Sequence, residues 1–111
     1  MKGDLLSLEK LTLQRAVETN FQLPVTGFLL DAVMIGSVCI GYVYHHAKAD
    51  PLTGRFSNGH MMHTSSVGSI FEHAGFPVLI TCNSVYVCVV LCVEELETFL
   101  SHELISQPLY H

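Results

Sequence analysis

Pro77-Val78-Leu79-Ile80-Thr81-Cys82-Asn83-Ser84-Val85-Tyr86-Val87-Cys88-Val89-Val90-Leu91-Cys92-Val93 is a pair of apolar, β-branched stretches hinged on a short polar step. Such stretches predict strands over 77–82 and 85–93 with a tight turn at Asn83-Ser84. The second stretch is apolar at successive positions, and so on both faces, as a central strand covered on each side requires. The flanking sequence must therefore supply both the neighbouring strands and the covers.

Upstream, His73-Ala74-Gly75 predicts a turn, and 60–71 a strand that pairs across it. Residues 47–59 read as the main loop, with turn signals at Asp50-Pro51, Thr53-Gly54 and Asn58-Gly59. Asn58-Gly59 is the strongest hairpin signal of the three, because both residues tolerate positive φ. Residues 33–45 predict a long strand. Val38, Ile40, Tyr42 and Tyr44 share one of its faces, and Cys39, Gly41 and Val43 the other. Gly36 and Gly41 inside that strand predict bulges or a sharply coiled sheet. Asp31-Ala32 reads as a turn or bend after a first strand over 25–30.

A helix over 7–19 is expected before the strands. Ser7 is its expected N-cap, and Leu8, Leu11, Leu13, Ala16 and Val17 form a rough apolar stripe. Asn20 fits the C′ position, and Pro24 prevents continuation. A second helix over 94–105 closes the chain, with Glu94, Glu95 and Glu97 where its dipole favours acids. The expected fold is α+β in a single domain over 1–111. It has a helix at each end of about five antiparallel strands, which form a strongly bent sheet or an SH3-like barrel.

Composition narrows the function. Half of the 111 residues are apolar and 14% are charged, the opposite of a disordered chain. So apolar a chain has surface to spare, which predicts a homodimer. The longest apolar run, 28–44, is broken by Asp31, Gly36, Ser37 and Gly41, so no spanning helix is expected. The opening residues are too short and too charged for a secretory h-region. With no export signal, the four cysteines in apolar runs predict buried thiols in a reducing cytoplasm. Every Lys and Arg falls at or before Arg55, and the net charge is −5. Without a cationic footprint, direct nucleic-acid binding is not expected.

Seven histidines raise the question of a metal. His60 and His63 have a ligand-like spacing, but on a strand they point to opposite faces, and no CxxC or HExxH accompanies them. Cys88 and Cys92 fall in the apolar run as core thiols. Ser65 or Ser66 beside His63 lacks a nucleophile elbow and an orienting acid. Arg55 could clamp a carboxylate or phosphate. Glu94, Glu95 and Glu97 could dock on a basic protein surface.

Gly54-Arg55-Phe56-Ser57-Asn58-Gly59-His60-Met61-Met62-His63-Thr64-Ser65-Ser66-Val67 and Thr81-Cys82-Asn83-Ser84-Val85-Tyr86-Val87 carry one resemblance. Over about residues 50–90 the chain resembles small proteins encoded by enterobacterial phages and prophages. Their shared pattern is a glycine hairpin after Gly-Arg-Phe, a Thr-Ser strand and an Asn-Ser-x-Tyr strand. The resemblance implies a phage-type accessory protein in the cytoplasm of a bacterial host cell, and assigns no site residue.

The expected function is therefore a non-enzymatic binding protein without cofactor. It would engage, and inhibit, a host or defence protein through Arg55, Glu94, Glu95 and Glu97. The alternative is a small metal-dependent enzyme using His60 and His63. A third reading is a small-molecule sponge or sensor with a pocket lined by Tyr42, Tyr44 and Arg55.

Overall fold

The computed structural model describes residues 2–89. The helix expected over 94–105, the end of the last strand, Cys92, Glu94, Glu95 and Glu97 lie outside the described residues. The order of elements is α1 (Ser7–Glu18), β1 (Gly27–Ile35), β2 (Val38–Tyr44), β3 (Met61–His63), β4 (Val67–His73), β5 (Phe76–Thr81) and β6 (Val85–Val89).

The strands form one open sheet in the order β3-β2-β1-β6-β5-β4. It consists of two three-stranded antiparallel meanders laid side by side, with β1 and β6 parallel at the junction. Six strands thus replace the expected five, because the strand expected over 60–71 is split at Thr64-Ser65-Ser66. The sheet is mixed rather than wholly antiparallel, and it does not close into an SH3-like barrel. As expected, β6 is a central, doubly covered strand. Tyr86, Val87, Cys88 and Val89 are all buried.

The sheet is nevertheless bent hard, for a reason of chain length. Its edge strands β3 and β4 are consecutive in sequence, and His63 to Val67 spans at most about 14 Å. In a flat sheet five strand spacings would set those edges about 24 Å apart. The sheet must roll until its edges approach. The link is pinned across the roll by Thr64 N–H to the Cys39 carbonyl (2.8 Å) and Val67 N–H to the Ser37 carbonyl (2.7 Å). The Thr64 hydroxyl also accepts Cys39 N–H (3.0 Å).

Asp31-Ala32 is a β-bulge inside β1, not a turn. Leu30 faces Tyr42 and Val33 faces Ile40, so two residues oppose Gly41 alone. Asp31 takes φ +54°, a left-handed conformation that Asp tolerates. The extra residue reverses the side-chain alternation. Phe28 and Leu30 face the helix-side core, whereas Met34 joins the opposite one. The actual hairpin is Gly36-Ser37, where Ile35 faces Val38. Gly36 has φ +61°, the first-position glycine of a type II′ turn. Ala74-Gly75, both at positive φ, closes β4 onto β5 where a turn was expected.

The rolled sheet carries a core on each face. One gathers Phe28, Leu30, Tyr44, Phe76, Val78, Val87 and Val89 under Leu13 and Ala16 of α1. The other gathers Leu29, Met34, Cys39, Val43, Leu79, Tyr86 and Cys88. The helix turns a different face inward than its leucines predict. Glu9, Leu13 and Ala16 are buried, while Leu8 and Leu11 are 58% and 68% exposed. The N-cap is Leu6, one residue earlier than expected, because Glu9 at N3 accepts the Leu6 N–H (2.9 Å). Lys2 fastens this end. Its ammonium bridges Glu9 (3.0 Å) and Asp31 of the bulge (2.9 Å). Among the described residues no helix is long and apolar enough to cross a membrane.

Candidate functional site: a cationic cleft on the rolled sheet

The 46–56 loop, the β3–β4 link and the β5–β6 turn enclose a cleft of about 330 Å³. Its lining includes Lys48, Arg55 and His63, with Ser65, Asn83 and Tyr86. Among the described residues no Asp or Glu lines it. Among the described residues the ion pairs are those of Lys2, so neither Lys48 nor Arg55 meets a carboxylate there.

Each wall is held from the backbone upward. Thr26 anchors the loop and turn together. Its carbonyl accepts Ala47 N–H (2.7 Å), its hydroxyl accepts Val85 N–H (3.0 Å), and its N–H reaches the Val85 carbonyl (2.7 Å). Asp50 closes the outer loop on itself. Its carboxylate accepts Leu52 N–H (2.9 Å), and its own N–H donates to the Arg55 carbonyl (2.9 Å). Arg55 lies over the Phe56 ring, 4.9 Å from its centroid. The β5–β6 turn is held by Thr81 N–H to the Ser84 carbonyl (2.9 Å) and Ser84 N–H to the Thr81 hydroxyl (3.1 Å).

His46 is the keystone of the floor, and sequence reading did not select it. It is 6% exposed and stacked on Phe56 at 3.9 Å and 8°. Gly27 makes the room. A Cβ there would stand 3.2 Å from the imidazole and 3.4 Å from the Tyr86 ring. Lys48 N–H donates to His46 Nδ1 (3.0 Å), and Nε2 meets the Tyr86 hydroxyl at 3.1 Å. Burial first, then the charges of Lys48 and Arg55, holds this imidazole below its ordinary pKa, so it is neutral at pH 7. With Nδ1 an acceptor, the single proton must sit on Nε2 and point at Tyr86. Tyr86 Oη therefore accepts from His46, and its own proton is left for a group in the cleft. Burial raises the Tyr86 pKa, which keeps that proton in place.

The expected site residues are scattered. Tyr42 and Tyr44 belong to the helix-side core, where the Lys2 ammonium lies 5.6 Å from the Tyr42 ring. Arg55 lines the cleft on the opposite face, so the three do not form one pocket. His63 lines the cleft, with Nδ1 3.4 Å from the Thr64 carbonyl, but His60 does not. Among the described residues no three of His, Cys, Asp and Glu gather as a metal centre would need. Ser66 meets Ser37 (3.1 Å) rather than a histidine. Cys39 and Cys88 are buried as expected, but Cys82 is exposed in the β5–β6 turn. The cleft also gathers Arg55, Phe56, Thr64, Ser65, Thr81, Asn83, Ser84 and Tyr86 from the segments 54–67 and 81–87. No protein-family model, curated protein or solved structure matches the chain.

Proposed function

We propose that this chain is a non-enzymatic binding protein whose cleft takes a small anionic molecule. One observation carries the reading. In a chain of net charge −5, Lys48 and Arg55 stand on a cleft where, among the described residues, neither meets a carboxylate and no acid joins the lining. Two unneutralised cations beside hydroxyl and amide donors form an anion trap. The volume is at the small end of the range for small-molecule sites. Among the described residues His63 and Ser65 share the cleft without an acid beside them, and the lining offers donors and charge.

Native mass spectrometry of the full chain, purified untagged, tests this. The wild type should carry a small anionic ligand, or bind one from a panel of metabolite anions, and the Lys48→Glu/Arg55→Glu variant should not. Equal loading of the two overturns the reading.

A protein partner is the second reading. The resemblance makes a host or defence protein the first partner to look for, and the apolar surplus argues for a homodimer. The exposed Leu8 and Leu11 of α1 are surface that either would cover. Light scattering of the purified chain tests the homodimer, and a monomer at all working concentrations removes it.

A further inference from the structure

We infer that the cleft is a phosphate site, taking the dianionic phosphoryl group of a small phosphomonoester between Lys48 and Arg55, with the Tyr86 hydroxyl as its neutral donor. This rests on the reading of the cleft as an anion site and names the anion.

The charge count selects phosphate. A carboxylate brings one negative charge and would leave the second cation unmatched. A phosphomonoester brings about 1.5 to 2 negative charges at pH 7, which matches Lys48 and Arg55 together. Its three terminal oxygens also need more donors than a carboxylate does. The residues that line the cleft carry such groups: Arg55, Lys48, Ser65, Asn83 and Tyr86. Hydroxyls already committed are not counted. Thr64 Oγ1 donates to the Ser65 carbonyl (2.7 Å), and Thr81 Oγ1 is tied to Ser84.

His46 acts as a positioning residue. By giving its Nε2 proton to Tyr86, it occupies the acceptor side of that hydroxyl and leaves the donor side to the ligand. Arg55 and Phe56 extend the stack on His46. The guanidinium lies on one aromatic ring, and that ring is stacked on His46. The cleft thus combines two cationic residues, Lys48 and Arg55, with one neutral donor, the Tyr86 hydroxyl, that His46 orients. A phosphoryl group needs both, because its charge must be neutralised and its oxygens individually satisfied.

Inorganic phosphate and acetate, titrated separately into the full-length chain and followed by amide and side-chain NMR, decide the matter. Phosphate should saturate, with shifts centred on Arg55, Ser65, Asn83 and Tyr86. Acetate should bind at least about tenfold more weakly, as one charge against two implies. Arg55→Gln, at an exposed position that leaves the cores untouched, should weaken phosphate binding by about tenfold or more. Tyr86→Phe should weaken it by about fivefold, the loss of one hydrogen bond. The ring nitrogen shifts of His46 should report the Nε2–H tautomer, a signature that a merely space-filling histidine does not require. Phosphate that fails to saturate at tens of millimolar, or that binds no better than acetate, overturns the assignment. So does an unchanged affinity in Arg55→Gln, or a His46 proton on Nδ1. If acetate and other carboxylates bind in the cleft and phosphate does not, this assignment falls while the anion-binding reading stands. If the Glu variant of Lys48 and Arg55 keeps every ligand, that reading falls as well.

Discussion

Replacing Lys2 with Met should destabilise the fold at neutral pH, and the loss should fade in acid. The ammonium lies 3.0 Å from Glu9 and 2.9 Å from Asp31, with the three side chains 18%, 4% and 39% exposed in that order. Once Lys2 is gone, water can reach Asp31. Glu9 is nearly buried and keeps only the Leu6 N–H. Breaking a buried pair costs about 3–5 kcal/mol and an exposed pair about 0–1 kcal/mol. Because Lys2 itself keeps 18% exposure, the Glu9 pair falls between those limits, and Lys2→Met should cost about 1.5–3 kcal/mol. In a domain of this size that is a fall in Tm of roughly 10 °C. The pH dependence has a definite sign. The Leu6 N–H and then Lys2 hold the Glu9 carboxyl below its ordinary value of 4.5. Its contribution is complete above that value and is lost as pH falls through the lowered one. Hydrogen bonds to Asp31 and Glu9 raise Lys2 above its ordinary 10.5, so its share is lost only in strong alkali. Urea unfolding of the wild type, Lys2→Met, Glu9→Gln and the double variant, near pH 7 and near pH 4, measures all of this. The double variant should cost less than the two single losses combined, because it leaves no buried charge unpaired. A Lys2→Met loss below about 0.5 kcal/mol near pH 7, or an equal loss at both pH values, refutes the reasoning.

Three further outcomes are expected. A Cβ at Gly41 would stand 3.1 Å from the Leu30 carbonyl oxygen and 3.3 Å from the Leu29 Cβ, at the bulge. Gly41→Ala should therefore cost about 1–3 kcal/mol by thermal melt, and an unchanged Tm would mean that the bulge is not tight. His46 is held below its ordinary pKa of 6.5, so the unfolded chain takes up a proton that the folded one refuses. Its contribution is full above about 6.5 and falls as pH drops through the lowered value, by at most about 1.4 kcal/mol per unit. His46→Gln should flatten that part of the stability curve, and identical slopes would contradict it. Iodoacetamide on the native chain should mark Cys82 and spare Cys39 and Cys88, resolved by peptide mass mapping. Labelling of all three at one rate would contradict the burial.

The sequence was legible where a pattern is local, and illegible where residues distant in the chain must meet. The alternation of Tyr42 and Tyr44 against Cys39 and Val43 follows from strand geometry alone, and the structure repeats it. The turns at Ala74-Gly75 and Asn83-Ser84 are equally local. Asp31-Ala32 and Gly36-Ser37 are both polar breaks in one apolar run, and the polarity of Asp drew the turn to the wrong one. The decisive signal was present. A type II′ hairpin needs glycine first, which only Gly36-Ser37 offers, whereas Asp31 needs only the left-handed turn of a bulge. The parallel pairing of β1 with β6 has no such signal, since an apolar run does not name its neighbour. The cleft is harder still. Chemistry singles out Arg55 and His63 in the sequence, but not Lys48, Tyr86 or His46. What unites them is the roll of the sheet. That roll follows from the three residues between β3 and β4 once those strands are known to lie at opposite edges. The cleft is therefore a product of the topology. The short link bends the sheet, the bend brings the 46–56 loop against the β5–β6 turn, and the cations meet the tyrosine there. Lengthening that link with flexible residues should relax the roll and open the cleft while leaving each meander intact.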